Sequence, residues 1–222
     1  MYRSSLVEKH VTKTELPHKL TPLYEALTET EKGWSNSKTK RFFDFTVAFV
    51  SLLLLWPIFS VISLAILFDS EGPAIFRQYR IGRMGHPFII YKFRTMFRDA
   101  EHGPRVTTLG DQRTTRIGSI LRKTKLDELP QLLNVLKGDM SLVGPRPLPV
   151  RDYEGFSEDW QRRRFSVRPG ITCLWQVNGR SSIPFEQWMK LDLQYLDQWS
   201  LWLDIKILAR TVSAVLKGSG AA

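Results

Sequence analysis

From Phe45 to Phe68 the chain carries no charged side chain. About two dozen largely apolar residues, at about 1.5 Å of rise each, suffice for a hydrocarbon core of about 30 Å. Lys38, Lys40 and Arg41 precede this run, and Arg77, Arg80 and Arg83 follow it. Basic residues beside a membrane segment favour the cytoplasmic side. Here they flank both ends, so the charge asymmetry of a spanning helix is missing. Pro57, near the middle, removes one backbone donor and crowds the preceding turn. A kinked segment that enters and leaves by the same face satisfies both facts. The rival is an ordinary span that tolerates its proline.

A chain of 222 residues suits one domain plus an anchor and can bury a real core. It holds 32 Lys+Arg against 22 Asp+Glu, a formal charge of +10. Nucleic acid, anionic lipid and phosphorylated small molecules all match such a surface. The membrane segment favours the last two, because juxtamembrane cations are drawn to anionic leaflets. The single cysteine, Cys173, cannot form an internal disulfide and fits a reducing compartment. No secretory leader is expected, since the apolar run starts late, is too long, and lacks a small-residue cleavage site after it.

Residues 1–37 are polar and weakly patterned, and read as a mobile tail with a short helix around Leu20–Leu27. The anchor spans 38–70. Residues 71–184 read as the polar body of the chain, and 185–222 as an aromatic, amphipathic helical region. Asp69-Ser-Glu-Gly-Pro73 reads as a turn. The alternation from Ala74 to Met96 predicts two short strands joined around Gly82–Gly85. Residues 97–120 read as loop. Asp127–Lys137 reads as a helix closed by Gly138, and Gly144–Pro149 as a stiff proline loop. From Phe185 to Leu216 apolar residues recur at helical spacing, in one or two helices.

Asp127-Glu128-Leu129-Pro130-Gln131 is the strongest chemical candidate. Asp127 stands where an N-cap would, and Pro130 falls in the first turn, where its missing N–H costs little. The unpaired N–H groups of a helix start attract anions, so a phosphate can be held beside an ionised carboxylate. An aspartate can attack phosphorus to give an acyl phosphate. Its own charge repels the phosphate, so a divalent cation or several arginines must neutralise the site. Arg122, Lys123 and Lys125 precede the pair, and Arg146 follows between Pro145 and Pro147, held in a stiff backbone. Plain capping by Asp-Glu is the competing explanation. In Tyr91-Lys-Phe-Arg-Thr-Met96 the period of two puts Lys92 and Arg94 on one strand face, suited to a diphosphate or simply solvated. Arg113 and Arg116 add to the same basic census.

Other signals are weaker. Gly82-Arg-Met-Gly85 has the GxxG form that KH domains use on nucleic-acid backbones, but inside a strand pair it is a hairpin turn, and the KH helical pattern is absent. The histidines (His10, His18, His86, His102) have no ligand-like spacing, and no Gly-x-Ser-x-Gly, P-loop or Gly-x-Gly-x-x-Gly occurs. Cys173 reads as a small buried hydrophobe. Trp188, Trp199 and Trp202, with Tyr195 and Met189, suit either a helix at the headgroup level or ordinary core packing.

Lys40-Arg-Phe-Phe-Asp44, Arg80-Ile-Gly82 with Gly85, Lys92-Phe-Arg-Thr-Met96, Arg122-Lys-Thr-Lys-Leu-Asp-Glu-Leu-Pro-Gln131, the run Asn134 to Pro147, Arg168-Pro-Gly170 and Trp175-Gln-Val-Asn-Gly-Arg180 occur in that order. Together they resemble the bacterial sugar transferases of the small monotopic phosphoglycosyl transferase family, over about residues 38–216. The resemblance implies an α+β, mainly helical protein. Its anchor is a re-entrant helix–break–helix with the kink at Pro57, and its cytoplasmic catalytic domain contains a short β-hairpin. It implies transfer of a sugar 1-phosphate from a UDP-sugar to undecaprenyl phosphate at the cytoplasmic face of a bacterial inner membrane, which starts a surface polysaccharide. Asp127 matches the nucleophile that carries the phosphosugar, and Glu128 its partner. Mg²⁺ is the implied cofactor, with Asp127 as its protein ligand, and Lys92, Arg94, Arg122, Arg146 and Arg168 are the expected substrate-binding cations. Two positions depart from the family pattern. Trp56-Pro57 stands where members often carry Ser-Pro or a double proline, and Lys125 where many have serine. The segment Trp175–Arg180 resembles hexose-1-phosphate transferases, favouring galactose or glucose over a diacetamido sugar. Partners are then the UDP-sugar, undecaprenyl phosphate and membrane lipid, with no nucleic acid and homo-oligomerisation left open. A non-catalytic membrane adaptor is the alternative class, and it should tolerate neutralisation of Asp127-Glu128.

Overall fold

The computed structural model describes residues 37–98, 111–153, 156, 159–178 and 184–216. The expected tail helix at Leu20–Leu27 and the motif residues Gly179 and Arg180 lie outside them. Ser37 caps the first helix, its Oγ accepting from Lys40 N at 3.3 Å. Helix α1 then runs from Lys38 to Asp69, about 48 Å at 1.5 Å per residue. The expected break at Trp56-Pro57 is not an interruption here, for the helix continues through Pro57. Proline removes a single donor, and nearby Ser60 Oγ donates to Trp56 O at 3.2 Å. Leu53, Leu54, Trp56, Ile58 and Val61 around it are exposed. Lys40, Asp44 and Ala48 near the start, and Ile62 and Ile66 near the end, are buried. Both ends of α1 therefore pack on the protein body, while its middle presents apolar side chains outward.

The hairpin forms as its alternation predicts. Strands β1 (Ile75–Ile81) and β2 (Pro87–Phe93) pair antiparallel, from Ile75 opposite Phe93 to Ile81 opposite Pro87. A single 3-10 turn at Arg83–Gly85 joins them, with Met84 at φ 55°. Residues 97–120, expected to be loop, include a helix start instead. Helix α2 (Arg116–Thr124) is capped by Thr115 Oγ1, which accepts from Gly118 N at 2.9 Å. Ile117 and Leu121, one turn apart, turn inward against Ile62, Ile66 and Phe93. Three aliphatic residues in a basic stretch, one of them (Ile120) exposed, are too faint a pattern to read without that neighbour. Gly118 is required because any Cβ there would run into the backbone of Thr95.

The helix expected over Asp127–Lys137 is two pieces. Leu126–Gln131 is a 3-10 stretch, followed by α3 (Leu132–Lys137) with Gly138 closing it at φ 92°. Its N-cap is Lys125, not Asp127. Pro130, which has no N–H and crowds the preceding turn, lies within the tighter piece. Asn134 of α3 seals the outer edge of β2, accepting from Tyr91 N at 3.1 Å and donating to Ile89 O at 2.7 Å. An edge strand is thus covered by one amide.

Next come β3 (Ser141–Val143), β4 (Leu148–Pro149), α4 (Val150–Tyr153) and α5 (Asp159–Arg162). A 3-10 stretch (Arg163–Ser166), β5 (Gly170–Thr172) and α6 (Leu174–Val177) lead to α7 (Phe185–Asp197) and α8 (Leu201–Leu216). β4 adds to β1, giving the order β2-β1-β4, while β3 and β5 pair in parallel. The main core joins Ala48, Ile90, Val135, Met140, Val143, Tyr195 and Ile207, one apolar contact set drawn from α1, β2, α3, β3, α7 and α8. The tryptophans divide between the two expectations. Trp188 meets Trp175 at 5.3 Å with the two rings tilted and Trp199 packs on the core, whereas Trp202 is exposed.

Candidate active site

The turn between α2 and the 3-10 stretch is made by Lys125, whose backbone is left-handed at φ 60° and ψ 14°. Asp127 and Glu128 follow in the first turn, and Leu126 and Leu129 anchor that turn against the Ile62–Ile66–Phe93–Leu121 cluster. The two carboxylates have different surroundings. Asp127 Oδ1 is shut off from solvent and accepts no hydrogen bond. Glu128 Oε1 accepts from Lys92 Nζ at 2.8 Å and from Arg146 Nη2 at 3.0 Å.

Their acidities diverge accordingly. Burial raises the Asp127 carboxyl above its ordinary value and the negative Glu128 raises it further, outweighing Lys92, Lys125 and Arg146. Burial works on Glu128 in the same direction, but Arg146 and Lys92, by charge and by hydrogen bond, overcome it and hold Glu128 well below the usual carboxylate range. Two neighbouring carboxylates pushed apart in this way are a recurrent sign of divided chemical roles. Glu128 is a fixed negative charge that organises two cations. Asp127 is a more basic carboxylate with an unoccupied oxygen.

The cations come from three elements. Lys92 stands on β2. Arg146 stands in the proline loop, which is pinned by Gly170 N donating to Pro145 O at 2.9 Å and Arg80 Nη1 to Pro147 O at 3.4 Å. Gly170 must be glycine, because a Cβ would strike the backbone of Gly144. Arg122 on α2 feels the charge of Asp127 and is oriented by donating from Nε to Thr95 Oγ1 at 2.9 Å. Thr95 sits in the motif Lys92–Met96, but nothing in its spacing points to Arg122, which the fold brings to it from 27 residues away.

Arg94 and Arg168, expected with Lys92 among the substrate cations, direct guanidinium donors to main-chain carbonyls. Arg94 follows the last residue of β2 and donates from Nη2 to Ser70 O at 2.7 Å and Ser70 Oγ at 3.1 Å, and from Nη1 to Glu71 O. Arg168 donates from Nε to Gly138 O at 3.0 Å, beside Arg41, which reaches Val135 O at 2.5 Å and Leu136 O at 2.8 Å. The last carbonyls of a helix have no intrahelical partner, and long guanidinium side chains satisfy them. Both arginines brace helix ends.

No group of three His, Cys, Asp or Glu able to hold a metal occurs among the described residues. Mg²⁺ sites that act on diphosphates need only one or two carboxylates, the substrate oxygens completing the shell. The orphan oxygen of Asp127 fits that requirement, whereas Glu128 Oε1 is already committed to two cations.

Residues 35–218 match the family model described as bacterial sugar transferase. The chain is 45% identical over 213 residues to the galactosyl transferase CpsE of Streptococcus agalactiae, covering 89% of this chain and 47% of that protein. It is 46% identical over 183 residues to the uncharacterized sugar transferase EpsL of Bacillus subtilis, with 82% and 89% covered. Against the UDP-glucose:undecaprenyl-phosphate glucose-1-phosphate transferase of Caulobacter vibrioides it is 46% identical over 186 residues, with 80% and 69% covered. The chain thus spans about half of the first of these relatives and most of the other two.

Proposed function

The chain belongs to the bacterial sugar transferase family, and from that premise we propose that it moves a hexose 1-phosphate from a UDP-sugar to undecaprenyl phosphate. The observation that carries this reading is the contrast within the dyad. A buried carboxylate oxygen without a hydrogen bond adjoins a carboxylate neutralised by Lys92 and Arg146.

In the first step Asp127 attacks the sugar-side phosphorus, the bond to the bridging oxygen breaks, and uridine monophosphate leaves with that electron pair. The phosphosugar is then carried as an acyl phosphate on Asp127. In the second step an oxygen of the lipid phosphate attacks the same phosphorus, expelling Asp127 as a free carboxylate and forming the lipid-linked diphosphosugar. A carboxylate raised in basicity by burial is the better nucleophile. Lys92, Arg122 and Arg146 offset the charge of the incoming diphosphate, at a site where water does not screen them fully. Glu128 holds Lys92 and Arg146 in place between steps. Mg²⁺ held by Asp127 would supply further neutralisation of the diphosphate.

We read α1 as a re-entrant anchor at the cytoplasmic face of the inner membrane. The support is that its two ends dock on one body. Lys40 and Asp44 bond to Asp204 and Ser141, while Asp69 Oδ2 accepts from Ile117 N at 3.0 Å and Ser70 is held by Arg94. A spanning helix would put those two ends in water on opposite faces of the bilayer, where one folded body could not hold both. One soluble and one lipid substrate then meet at the surface.

A panel of radiolabelled UDP-sugars offered with undecaprenyl phosphate to the purified protein in nanodiscs tests the reading. UDP-galactose or UDP-glucose should yield a labelled lipid and uridine monophosphate. Absence of lipid label from every hexose would overturn it.

A further inference from the structure

The loop that presents Arg146 is stiff yet poor in its own hydrogen bonds, because Pro145 and Pro147 donate none. Its three carbonyls are held from outside, by Gly170 N, by Arg164 and by Arg80 in turn. The middle bond is the unusual one. Arg164 is 2% exposed, and its Nη2 donates to Arg146 O at 2.9 Å. The same guanidinium binds Asp192 Oδ2, from Nε at 3.0 Å and from Nη2 at 2.7 Å. Three aromatic rings, of Phe156, Phe165 and Trp188, lie 5.8, 5.3 and 5.1 Å from its centre.

A buried ion pair of this kind is weak evidence for stability, since desolvation offsets its attraction. Burial pushes the Asp192 carboxyl up to about 6, against the pull of Arg164. The pair therefore needs another explanation, and its geometry offers one. Holding the carbonyl of Arg146 fixes the peptide plane from which its side chain departs, and that side chain ends 3.0 Å from Glu128 Oε1.

We propose that Arg164, aimed by Asp192, is a positioning residue that sets the guanidinium of Arg146 against Glu128, and so the charge balance beside Asp127. The effect on turnover rests on the transferase reading above, but the placement of Arg146 does not.

Two variants separate positioning from folding. Arg164→Lys keeps a charge for Asp192, but a single ammonium cannot reproduce the planar fork that serves carboxylate and carbonyl together. Arg164→Met with Asp192→Leu removes both charges and fills the space with apolar atoms, a change that buried pairs often tolerate. Met189→Ala, in the same apolar cluster, is the matched control for lost stability. For each, we would follow phenylglyoxal modification of Arg146 by peptide mass spectrometry, the melting temperature, and kcat and KM for the UDP-sugar. The proposal expects faster modification of Arg146 and a fall in kcat of about 10–100-fold in both Arg164 variants, as for a small misplacement of a catalytic group. Met189→Ala should lower only the melting temperature. Unchanged Arg146 reactivity in a folded Arg164 variant would overturn the proposal, as would an equal loss of kcat in Met189→Ala. If the wild-type protein transfers no sugar, the modification rates still decide the placement of Arg146. If the double variant does not fold, Arg164→Lys decides it.

Discussion

Lys40 Nζ lies 2.7 Å from Asp204 Oδ2, joining the first turn of α1 to α8 across 164 residues of chain. Asp44 stands 3.5 Å from the same ammonium, its other oxygen accepting from Ser141 Oγ at 2.8 Å, and Tyr195 and Trp199 bond Asp204. All of this is inside the protein, where one positive and two negative groups must balance. Lys40→Met leaves Asp44 and Asp204 buried without their cation, which should cost about 3–5 kcal/mol. Thermal unfolding in detergent should show a large drop, and an unshifted transition would mean the network does not tie the anchor down.

Asp127→Asn should separate activity from stability. Turnover should fall by several orders of magnitude, because the amide cannot form the acyl phosphate. The folded-state value of Asp127 is raised, so in the ligand-free protein its stabilising protonated form is lost as pH rises through that value. The variant should therefore be at least as stable as the parent at pH 7. Near-normal turnover would dismiss Asp127 as nucleophile.

Glu128→Gln should behave in the opposite sense. The depressed value of Glu128 means its contribution is present above the ordinary glutamate range and is lost as pH falls through the folded value. The variant leaves Lys92 and Arg146 facing a neutral amide, so it should lose stability at pH 7 as well as activity. Denaturant titrations at pH 7 that overlay the parent would contradict the arrangement of charges.

Chelation tests the metal. EDTA should abolish sugar-phosphate transfer and added Mg²⁺ should restore it, since the partnerless oxygen of Asp127 suits a hard cation shared with substrate oxygens. Undiminished transfer in excess chelator would remove magnesium from the mechanism.

Topology can be read with single cysteines at Thr39 and Glu71, both exposed, in a Cys173→Ser background. Gly72 is unsuitable, since its φ is 111° and a side chain there would meet Arg94. A re-entrant α1 leaves both sites protected from an impermeant thiol reagent in intact spheroplasts and reactive after lysis. Pro57→Leu should favour a span in some molecules, opposed by Lys38, Lys40 and Arg41. Labelling of Thr39→Cys in intact spheroplasts with Pro57 present would show an ordinary span.

The apolar run, the hairpin around Gly82–Gly85 and the helical spacing from Phe185 onward are legible in the sequence by itself, because each follows from periodicity or turn chemistry within a few residues. The start at Asp127-Glu128 is not, since Lys125 and not Asp127 caps a 3-10 stretch there. Nor is the direction of long cationic side chains. Lys92 and Arg146 reach Glu128 from 36 and 18 residues away, whereas Arg94 and Arg168 turn to helix-end carbonyls. A guanidinium goes wherever the fold brings an unpaired acceptor, and no local rule says which acceptor that will be. The start of α2 was hidden for a similar reason, since Ile117 and Leu121 gain a buried face only when α1 and β2 supply it. Composition and spacing determined which groups the chain can bring to phosphate chemistry. Tertiary packing alone decided that Glu128 is neutralised by two cations while an oxygen of Asp127 is left without a partner.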